Sequence, residues 1–273
     1  MIASFRRSGG TVIYSDVWNI IDGYIKAGAG QGLLLIISIV YNRAIVKRGK
    51  YPVDIYLRPT PTIDCDNLLI REKAQEICRD QHEVSDKAKY LFYFVRDEIK
   101  YNLYVPSDKP EYFKASRILQ ERNGFCIQKA VLLIALARAM GIPARLHIIA
   151  IRNHLVPDKL QQLMRGNLFP THGYSELYIE ERWVKVAPTF DLGLCQKNRF
   201  VIVEFDGKHD AMLPAYNQDG KKHIEYVQDR GHYDDLPFND IIAWRVEALG
   251  ADIFERIKQV IESKKADAAA REF

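Results

Sequence analysis

The most continuous apolar pattern of the chain lies in residues 126–140, where hydrophobic side chains occur almost all round a helical projection. A helix without a polar face is expected to lie inside the domain and not on its surface. Gly141 and Pro143 follow directly and are expected to end the helix. The pattern therefore predicts one buried central helix.

Three further segments have apolar residues at spacings of three and four, which indicates amphipathic helices. They cover residues 68–79, 85–100 and 237–261, and Ser85 is expected to be the N-cap of the second. The last dozen residues are rich in Lys, Asp, Ala and Glu, and we expect a solvated tail there.

Residues 144–151 and 172–189 have strand-like composition, and they follow the first group of helices. This order predicts an α+β fold in which the central helix packs on an antiparallel sheet, with flanking helices. The C-terminal helix is expected to cover one edge or face of that sheet.

The segment 172–189 is expected to be a hairpin with a two-residue turn at Glu180 and Glu181. Within this register opposite charges face each other, which supports it. The register pairs Tyr178 with Trp183, Glu176 with Lys185 and His172 with Thr189.

Residues 1–50 differ from the rest and are predicted to be an N-terminal extension. The GAGQG sequence lacks the GxGxxG spacing of a dinucleotide loop, so we expect a flexible joint. The apolar run of residues 33–40 is far shorter than the roughly 20 residues of a membrane span. A domain of residues 51–235, with its core at 85–191, should follow, and residues 236–273 should form a helix and tail packed on it.

Composition narrows the class of protein. The 273 residues are 48% hydrophobic, which is enough for a substantial core, and the formal net charge of +4 is spread along the chain. Neither nucleic acid nor a membrane is therefore expected as a partner. The four cysteines show no CxxC pair, and the N-terminus lacks the order of a signal peptide, so reduced thiols in a cytoplasmic protein are expected.

Cys126 stands at the first turn of the predicted central helix. Unpaired N–H groups and the positive end of the helix dipole favour a thiolate there and would stabilise an oxyanion formed by its attack on a carbonyl. Cys126 is thus a candidate nucleophile. The alternative is that it serves as a small buried apolar residue, which is the commonest use of a lone cysteine.

A nucleophilic cysteine needs a base, and His172 on the predicted hairpin is the first candidate. Positions 187 and 191 are its diagonal neighbours across the hairpin, and one of them should orient the imidazole. Position 187 is alanine, whereas position 191 is aspartate. Asp191 is therefore the candidate orienting carboxylate, and a hydrogen bond from Thr189 is the alternative.

Other candidates carry weaker signals. His154 is the second candidate for the base, and Tyr101 could polarise a bound carbonyl if it does not simply pack in the core. The remaining segments around His209, His223 and His232 resemble loops. No group of residues has zinc-ligand spacing or forms a phosphate loop, so neither a metal nor a cofactor is expected.

Four motifs occur together in one order: GFCxxxA, GIPAR, HGYSELY and RWVKVAPT. In this combination the chain resembles the transglutaminase-like superfamily of papain-type Cys-His-Asp enzymes over about residues 85–191. The resemblance implies that Cys126 is the nucleophile and His172 the base. The third member of the family triad is an aspartate directly before Pro-Thr, where this chain has Ala187, so Asp191 or Thr189 would have to replace it.

Two functional hypotheses follow from this resemblance. In the first, a Cys126 thioester formed from a peptide or glutamine-type amide is resolved by water, as in a protease or amidase, or by an amine, as in a transglutaminase. Bacterial and archaeal members of the family include both uncharacterised hydrolases and transferases, and hydrolysis is the favoured reaction. In the second, which Ala187 motivates, the fold is kept as a binding or scaffold protein without turnover.

Overall fold

The computed structural model describes the backbone of residues 53–269 and the side chains as far as residue 263. The N-terminal extension expected at residues 1–50, with its glycine-rich joint and its apolar run, lies outside the described residues.

Eight α-helices occur in the described part of the chain, together with two short 3₁₀ turns and one π-helical segment, Phe94–Glu98. The first four helices precede the main sheet, and the others lie between or after its strands. The helices are α1 (Leu68–Ile77), α2 (Val84–Tyr93), α3 (Ala115–Glu121), α4 (Cys126–Ala139), α5 (Asp158–Met164), α6 (Leu192–Asn198), α7 (Phe238–Leu249) and α8 (Ile253–Ala269).

The main sheet has four antiparallel strands in the order β5-β4-β3-β6. Two short strands, β1 (Lys100–Tyr101) and β2 (Asn123–Gly124), form a separate parallel pair. Strand β2 directly precedes the central helix. The prediction of an α+β fold with an antiparallel sheet is confirmed. The strands of the main sheet are β3 (Ala144–Asn153), β4 (Leu168–Ile179), β5 (Arg182–Val186) and β6 (Ile224–Tyr233).

The central helix α4 is buried along its length, as its apolar pattern predicts: all residues from Cys126 to Arg138 are buried. It ends at Ala139, and Gly141 follows in a left-handed conformation with φ of 77°. The helix packs against β4 and β3 of the main sheet on one side and against α1, α2 and α3 on others. The start of α4 is therefore held between the sheet and the helical layer.

Lys129 lies in α4 one turn after Cys126 and is completely buried. Its Nζ donates hydrogen bonds to the carbonyl oxygens of Arg96, at 2.9 Å, and of Ile99, at 2.6 Å. Burial lowers the pKa of Lys129 to about 7. The lysine thus joins α4 to the end of the π-helical segment through groups that have no access to water.

The hairpin of β4 and β5 has the predicted register, with Tyr178 opposite Trp183. Glu180 and Glu181 have φ of 48° and 64°, as the two central residues of a type I′ turn require. Glu176 and Lys185 lie opposite each other, as predicted. The Glu176 carboxylate, however, bonds Arg145 and His147 on the neighbouring strand β3 instead of Lys185.

The ladder between β4 and β5 ends at Ser175 and Val186, so the predicted pairing of His172 with Thr189 is not part of it. Beyond Val186 the chain turns to another partner, since the Ala187 N–H donates to the carbonyl of Ala211. The edge of β4 next to His172 is therefore not covered by β5.

Several predicted boundaries were wrong. Helix α2 starts at Val84 with Glu83 and not Ser85 as N-cap, and its last part is π-helical. The segment 237–261 is two helices, because Gly250, with φ of 92°, separates α7 from α8. Helix α8 then continues to Ala269, through most of the predicted tail.

Strand β6 was not predicted from the sequence. Most of its residues are exposed or half-buried, which is typical of an edge strand. Its polar residues and Gly231 therefore resembled a loop. Next to the sheet, α7 packs against β4. None of the helices in the described range combines the length and the apolar character that crossing a membrane requires.

Candidate active site

Cys126 is the first residue of α4, as predicted, and the residues around it fix the start of the helix. The Phe125 N–H donates to Oε1 of Gln128 at 3.1 Å, while the Gln128 amide donates to the carbonyl of Tyr112 at 2.7 Å. A side-chain amide at the third helical position thus satisfies an N–H that the helix itself leaves without a partner.

Strand β4 passes unusually close to the start of α4 at Gly173. A Cβ added there would lie 2.9 Å from Cα of Ile127 and 2.8 Å from its Cγ1, so only glycine fits. The close approach brings the Gly173 N–H near the sulfur of Cys126, where it lowers the pKa of the thiol. Gly173 therefore both permits the contact between strand and helix and influences the candidate nucleophile.

One cavity of about 240 Å³ contains four of the five predicted site residues. Cys126, His172, Tyr101 and Thr189 all line it, and most of the remaining lining is apolar or aromatic. The candidate nucleophile, the candidate base and two side-chain hydroxyl groups therefore line the same cavity, which is the arrangement that a thiol enzyme requires.

His172 is buried, and its Nε2 has no hydrogen-bond partner among the described residues. Burial lowers the pKa of its imidazole to about 4, so the ring is neutral at neutral pH. The hydroxyl of Thr189 is buried and also has no partner within the described range, so the alternative in which it holds the ring is not realised. The candidate base is therefore present without an orienting group among the described residues.

The fifth predicted residue, Asp191, does not orient His172. Its carboxylate caps α6 by accepting the Leu194 N–H at 3.2 Å, and it also accepts the Tyr101 N–H at 2.9 Å. Nζ of Lys100 lies 3.8 Å from Oδ1 of Asp191. The prediction was wrong because the chain leaves β4 after Val186, so that position 191 starts a helix and does not continue the hairpin.

The thiol of Cys126 is influenced by opposing effects. Burial is the largest of these and raises its pKa above the ordinary value. The N–H groups of Gly173 and Ile127 and the cation of Arg245 lower it, but they do not outweigh burial. The expected helix-start geometry is present, whereas the expected resting thiolate is not, and thiol and imidazole are both neutral at pH 7.

Tyr101 lies where it could donate to a bound carbonyl. Its ring packs edge-to-face on Phe190 with centroids 5.0 Å apart, and its pKa is raised well above the ordinary value by burial and by the nearby Cys126. The phenol is therefore a neutral donor within the cavity. His154, the second candidate for the base, instead bonds Glu225 at 2.9 Å and does not line the cavity.

His209, His223 and His232, which were expected in loops, all lie outside the cavity, and one of them is not a loop residue. His232 belongs to β6, and His223 is buried in a stack with Phe200 at 4.1 Å between ring centroids. His209 is exposed and bonds Asp206. Within the described residues no group of three or more His, Cys, Asp or Glu side chains could hold a metal ion.

Arg245 on α7 is the site residue that the sequence analysis missed. It is buried beside Cys126, and its Nε donates to Oγ1 of Thr171 at 2.9 Å. The signal was present in the sequence, because Arg245 lies between Ile241 and Leu249 on the inward apolar face of the predicted C-terminal helix. A cation on such a face is unusual and indicates a special role.

The neutral His172 is expected to make the protein sensitive to acid. Its folded-state pKa of about 4 lies below the ordinary 6.5, so the unfolded chain takes up the proton first and stability falls as pH drops from 6.5 towards 4. Between pH 7.5 and 4.5 this residue alone should cost about 2.5 kcal/mol of unfolding free energy.

Urea unfolding of the wild type and of His172→Gln at both pH values checks this expectation. The variant should lose less stability on acidification by about that amount, whatever its stability at pH 7.5. Equal losses in the two proteins would show that the buried imidazole is not the acid-sensitive group.

Comparison with known proteins supports the resemblance seen in the sequence. Residues 71–188 match the model of the transglutaminase-like superfamily. A search of curated proteins gave no match. The matched range includes Cys126 and His172, whereas Asp191 and Arg245 lie beyond it.

Three solved structures are similar to parts of the chain. A candidate cysteine protease from Cytophaga hutchinsonii has 19% identity over 70% of this chain and 50% of its own, with a TM-score of 0.43. A candidate protease from Parabacteroides distasonis has 15% identity over 50% and 26%, with a TM-score of 0.32. The periplasmic domain of TgpA from Pseudomonas aeruginosa has 24% identity over 49% and 45%, with a TM-score of 0.36. The chain thus spans half or less of each of these structures.

Proposed function

We propose that this chain, which contains a transglutaminase-like domain, transfers acyl groups from amide substrates of the peptide or glutamine type through a thioester on Cys126. The observation that carries the proposal is that Cys126, at the start of α4, and His172 line one cavity. No metal or cofactor is needed for this chemistry.

The first half of the reaction follows from the neutral resting pair. His172 accepts the thiol proton as the sulfur attacks the amide carbonyl, and the new C–S bond produces an oxyanion. The Cys126 N–H at the start of α4 and the Tyr101 hydroxyl are the donors available to that oxyanion. When the C–N bond breaks, His172 returns the proton to the leaving nitrogen, which departs as an amine.

The second half of the reaction resolves the thioester. With water as acceptor, His172 takes a proton from the water as the C–O bond forms; the C–S bond then breaks, the carboxylic acid leaves, and His172 returns the proton to the sulfur. With an amine, the same steps form a new amide. We favour water, because none of the described residues that line the cavity is acidic and could attract a protonated amine as acceptor.

The proposal predicts a covalent acyl-enzyme. Incubation with p-nitrophenyl acetate should release one nitrophenolate rapidly and add one acetyl group to Cys126, as measured by stopped-flow absorbance and peptide mass spectrometry. Peptide amides and glutamine-containing peptides, with and without a primary amine, then distinguish hydrolysis from transfer by their products.

Two variants control this experiment. Cys126→Ala should show neither the burst nor the adduct. Cys195→Ala should behave like the wild type, because Cys195 lies outside the cavity and burial raises its pKa to about 11. An adduct that forms elsewhere, or none at all in the wild type, would falsify the proposal.

The second candidate function is a binding or scaffold role without turnover. The observation in its favour is that Nε2 of His172 has no hydrogen-bond partner among the described residues. The chain also has Ala187 at the position where the family has its aspartate. This candidate predicts that peptides bind in the cavity while p-nitrophenyl acetate leaves Cys126 unmodified, so the same experiment separates the two functions.

The four cysteines of the chain are all free and buried. Structural disulfides are common in oxidising compartments and rare in the cytoplasm. This supports our proposal that the protein works in the cytoplasm, and fractionation of the producing cells tests it.

A further inference from the structure

Cys126 also lines a second cavity, of about 60 Å³, which Arg245 lines as well. His172 does not line this second cavity, whereas it lines the first. The nucleophile therefore lies between two spaces, one with the base and the other with a cation.

The guanidinium of Arg245 is held firmly but is not neutralised. Besides its bond to Thr171, its Nη1 donates to Oγ of Ser107 at 3.3 Å, and it lies 5.3 Å from the centre of the Phe125 ring. Its Nη2 makes no hydrogen bond to a described residue, and none of the described residues that line the cavity is acidic.

Burying a cation without a carboxylate is costly, so an arginine in such a place is expected to have a partner of its own. Burial lowers the pKa of Arg245 only to about 10, so it keeps its charge at neutral pH. The hydroxyl groups of Thr171 and Ser107 leave part of its planar fork of donors unused. That fork matches a carboxylate.

We propose that the second cavity binds a carboxylate on the acyl part of the substrate, with Arg245 as the residue that determines this specificity. The inference rests on the proposed acyl transfer. The substrate class is then an amide whose acyl group is short, because the cavity is small, and ends in a carboxylate.

The assignment to the acyl part follows from the reaction. His172 must deliver a proton to the leaving nitrogen, so the leaving group lies in the first cavity, on the side of the base. The acyl chain is attached to the carbon that Cys126 attacks, and the second cavity is the remaining space next to the sulfur. A carboxylate a few carbons from the reacting carbonyl would therefore lie near Arg245.

Two esters with acyl chains of equal length test the proposal. The mono-p-nitrophenyl ester of glutaric acid ends in a carboxylate, whereas p-nitrophenyl valerate ends in a methyl group. Wild-type protein should be acylated about 10- to 100-fold faster by the glutaryl ester, the range expected for a hydrogen bond between charged groups. Arg245→Met should reduce this ratio to near one, and Arg245→Lys should keep part of it.

The carboxylate proposal is overturned if the wild type reacts faster with the valeryl ester, or if Arg245→Met leaves the ratio of the two acylation rates unchanged. Acylation by either ester would still uphold the proposed acyl transfer. A binding measurement tests the proposal if neither ester acylates the protein. Calorimetry should show that glutarate binds the Cys126→Ala protein and that it binds the Cys126→Ala, Arg245→Met double variant at least about tenfold more weakly. Equal binding overturns the proposal whether or not turnover occurs, and thermal melts confirm that each variant is folded.

Discussion

Ala187→Asp is expected to accelerate the acylation of Cys126 by at least about tenfold, with the ~10⁴-fold effect of the triad aspartate in serine proteases as an upper bound. The new carboxylate would stand where the family has its aspartate, and Nε2 of His172 is buried without a partner among the described residues. A carboxylate beside the ring would fix its orientation and raise its pKa from about 4. Thiolate and imidazolium would then form a stable pair.

The measurement is the rate of nitrophenolate release from p-nitrophenyl acetate at pH 6, together with the NMR titration of His172. Ala187→Asn is the matched control, because it has almost the same shape and accepts a hydrogen bond without adding charge. Position 187 is buried, so both variants should lose about 1–3 kcal/mol of stability to overpacking. An unchanged rate and titration in Ala187→Asp would show that position 187 does not reach the imidazole.

Gly173→Ala is expected to damage both stability and activity. The added Cβ would lie under 3.0 Å from the backbone of Ile127, so β4 and the start of α4 must separate by some tenths of an ångström. The unfolding free energy should fall by about 1–3 kcal/mol. Acylation of Cys126 should fall by about 10²-fold, because separating β4 from α4 displaces the sulfur relative to His172, which lies next to Gly173 on β4.

Gly193→Ala serves as the control, since its added Cβ would meet only Oδ1 of Asp191, at an ordinary 3.4 Å. It should be as active as the wild type. Adding Ile127→Ala to Gly173→Ala should recover at most part of the activity, because the contact with the Ile127 Cα remains, and none of the stability, because truncating this buried side chain itself costs about 2–5 kcal/mol. Urea unfolding and acylation kinetics of the four proteins give both quantities, and a fully active Gly173→Ala would contradict the close approach.

The parts of the fold that the sequence predicts are those in which one periodic pattern determines the outcome. Helix α4 is apolar all round and is buried, and the turn at Glu180 and Glu181 sets the register of its hairpin. The elements that were predicted wrongly are those whose structure depends on contacts with other elements. Gly250 breaks a helix without interrupting the apolar spacing, and β6 is an edge strand whose exposed side chains show no alternation.

The candidate site follows the same division. Cys126 and His172 belong to local motifs, and they share a cavity as the resemblance implied. Asp191 was inferred by extending the hairpin past Val186, where the chain in fact pairs with Ala211 and then starts α6. Arg245 lies far from both motifs in sequence, so only the packing of α7 on β4 shows that it belongs to the site.

The buried bonds of Lys129 have a consequence for local unfolding. Its amino group donates to the carbonyls of Arg96 and Ile99 at the end of the π-helical segment, and both hydrogen bonds are buried. Opening that segment would therefore leave the lysine unpaired next to the core, and moving α4 would leave the carbonyls unpaired. The two elements should open as one cooperative unit. The candidate nucleophile Cys126, one turn away on the same helix, thus belongs to this cooperative unit.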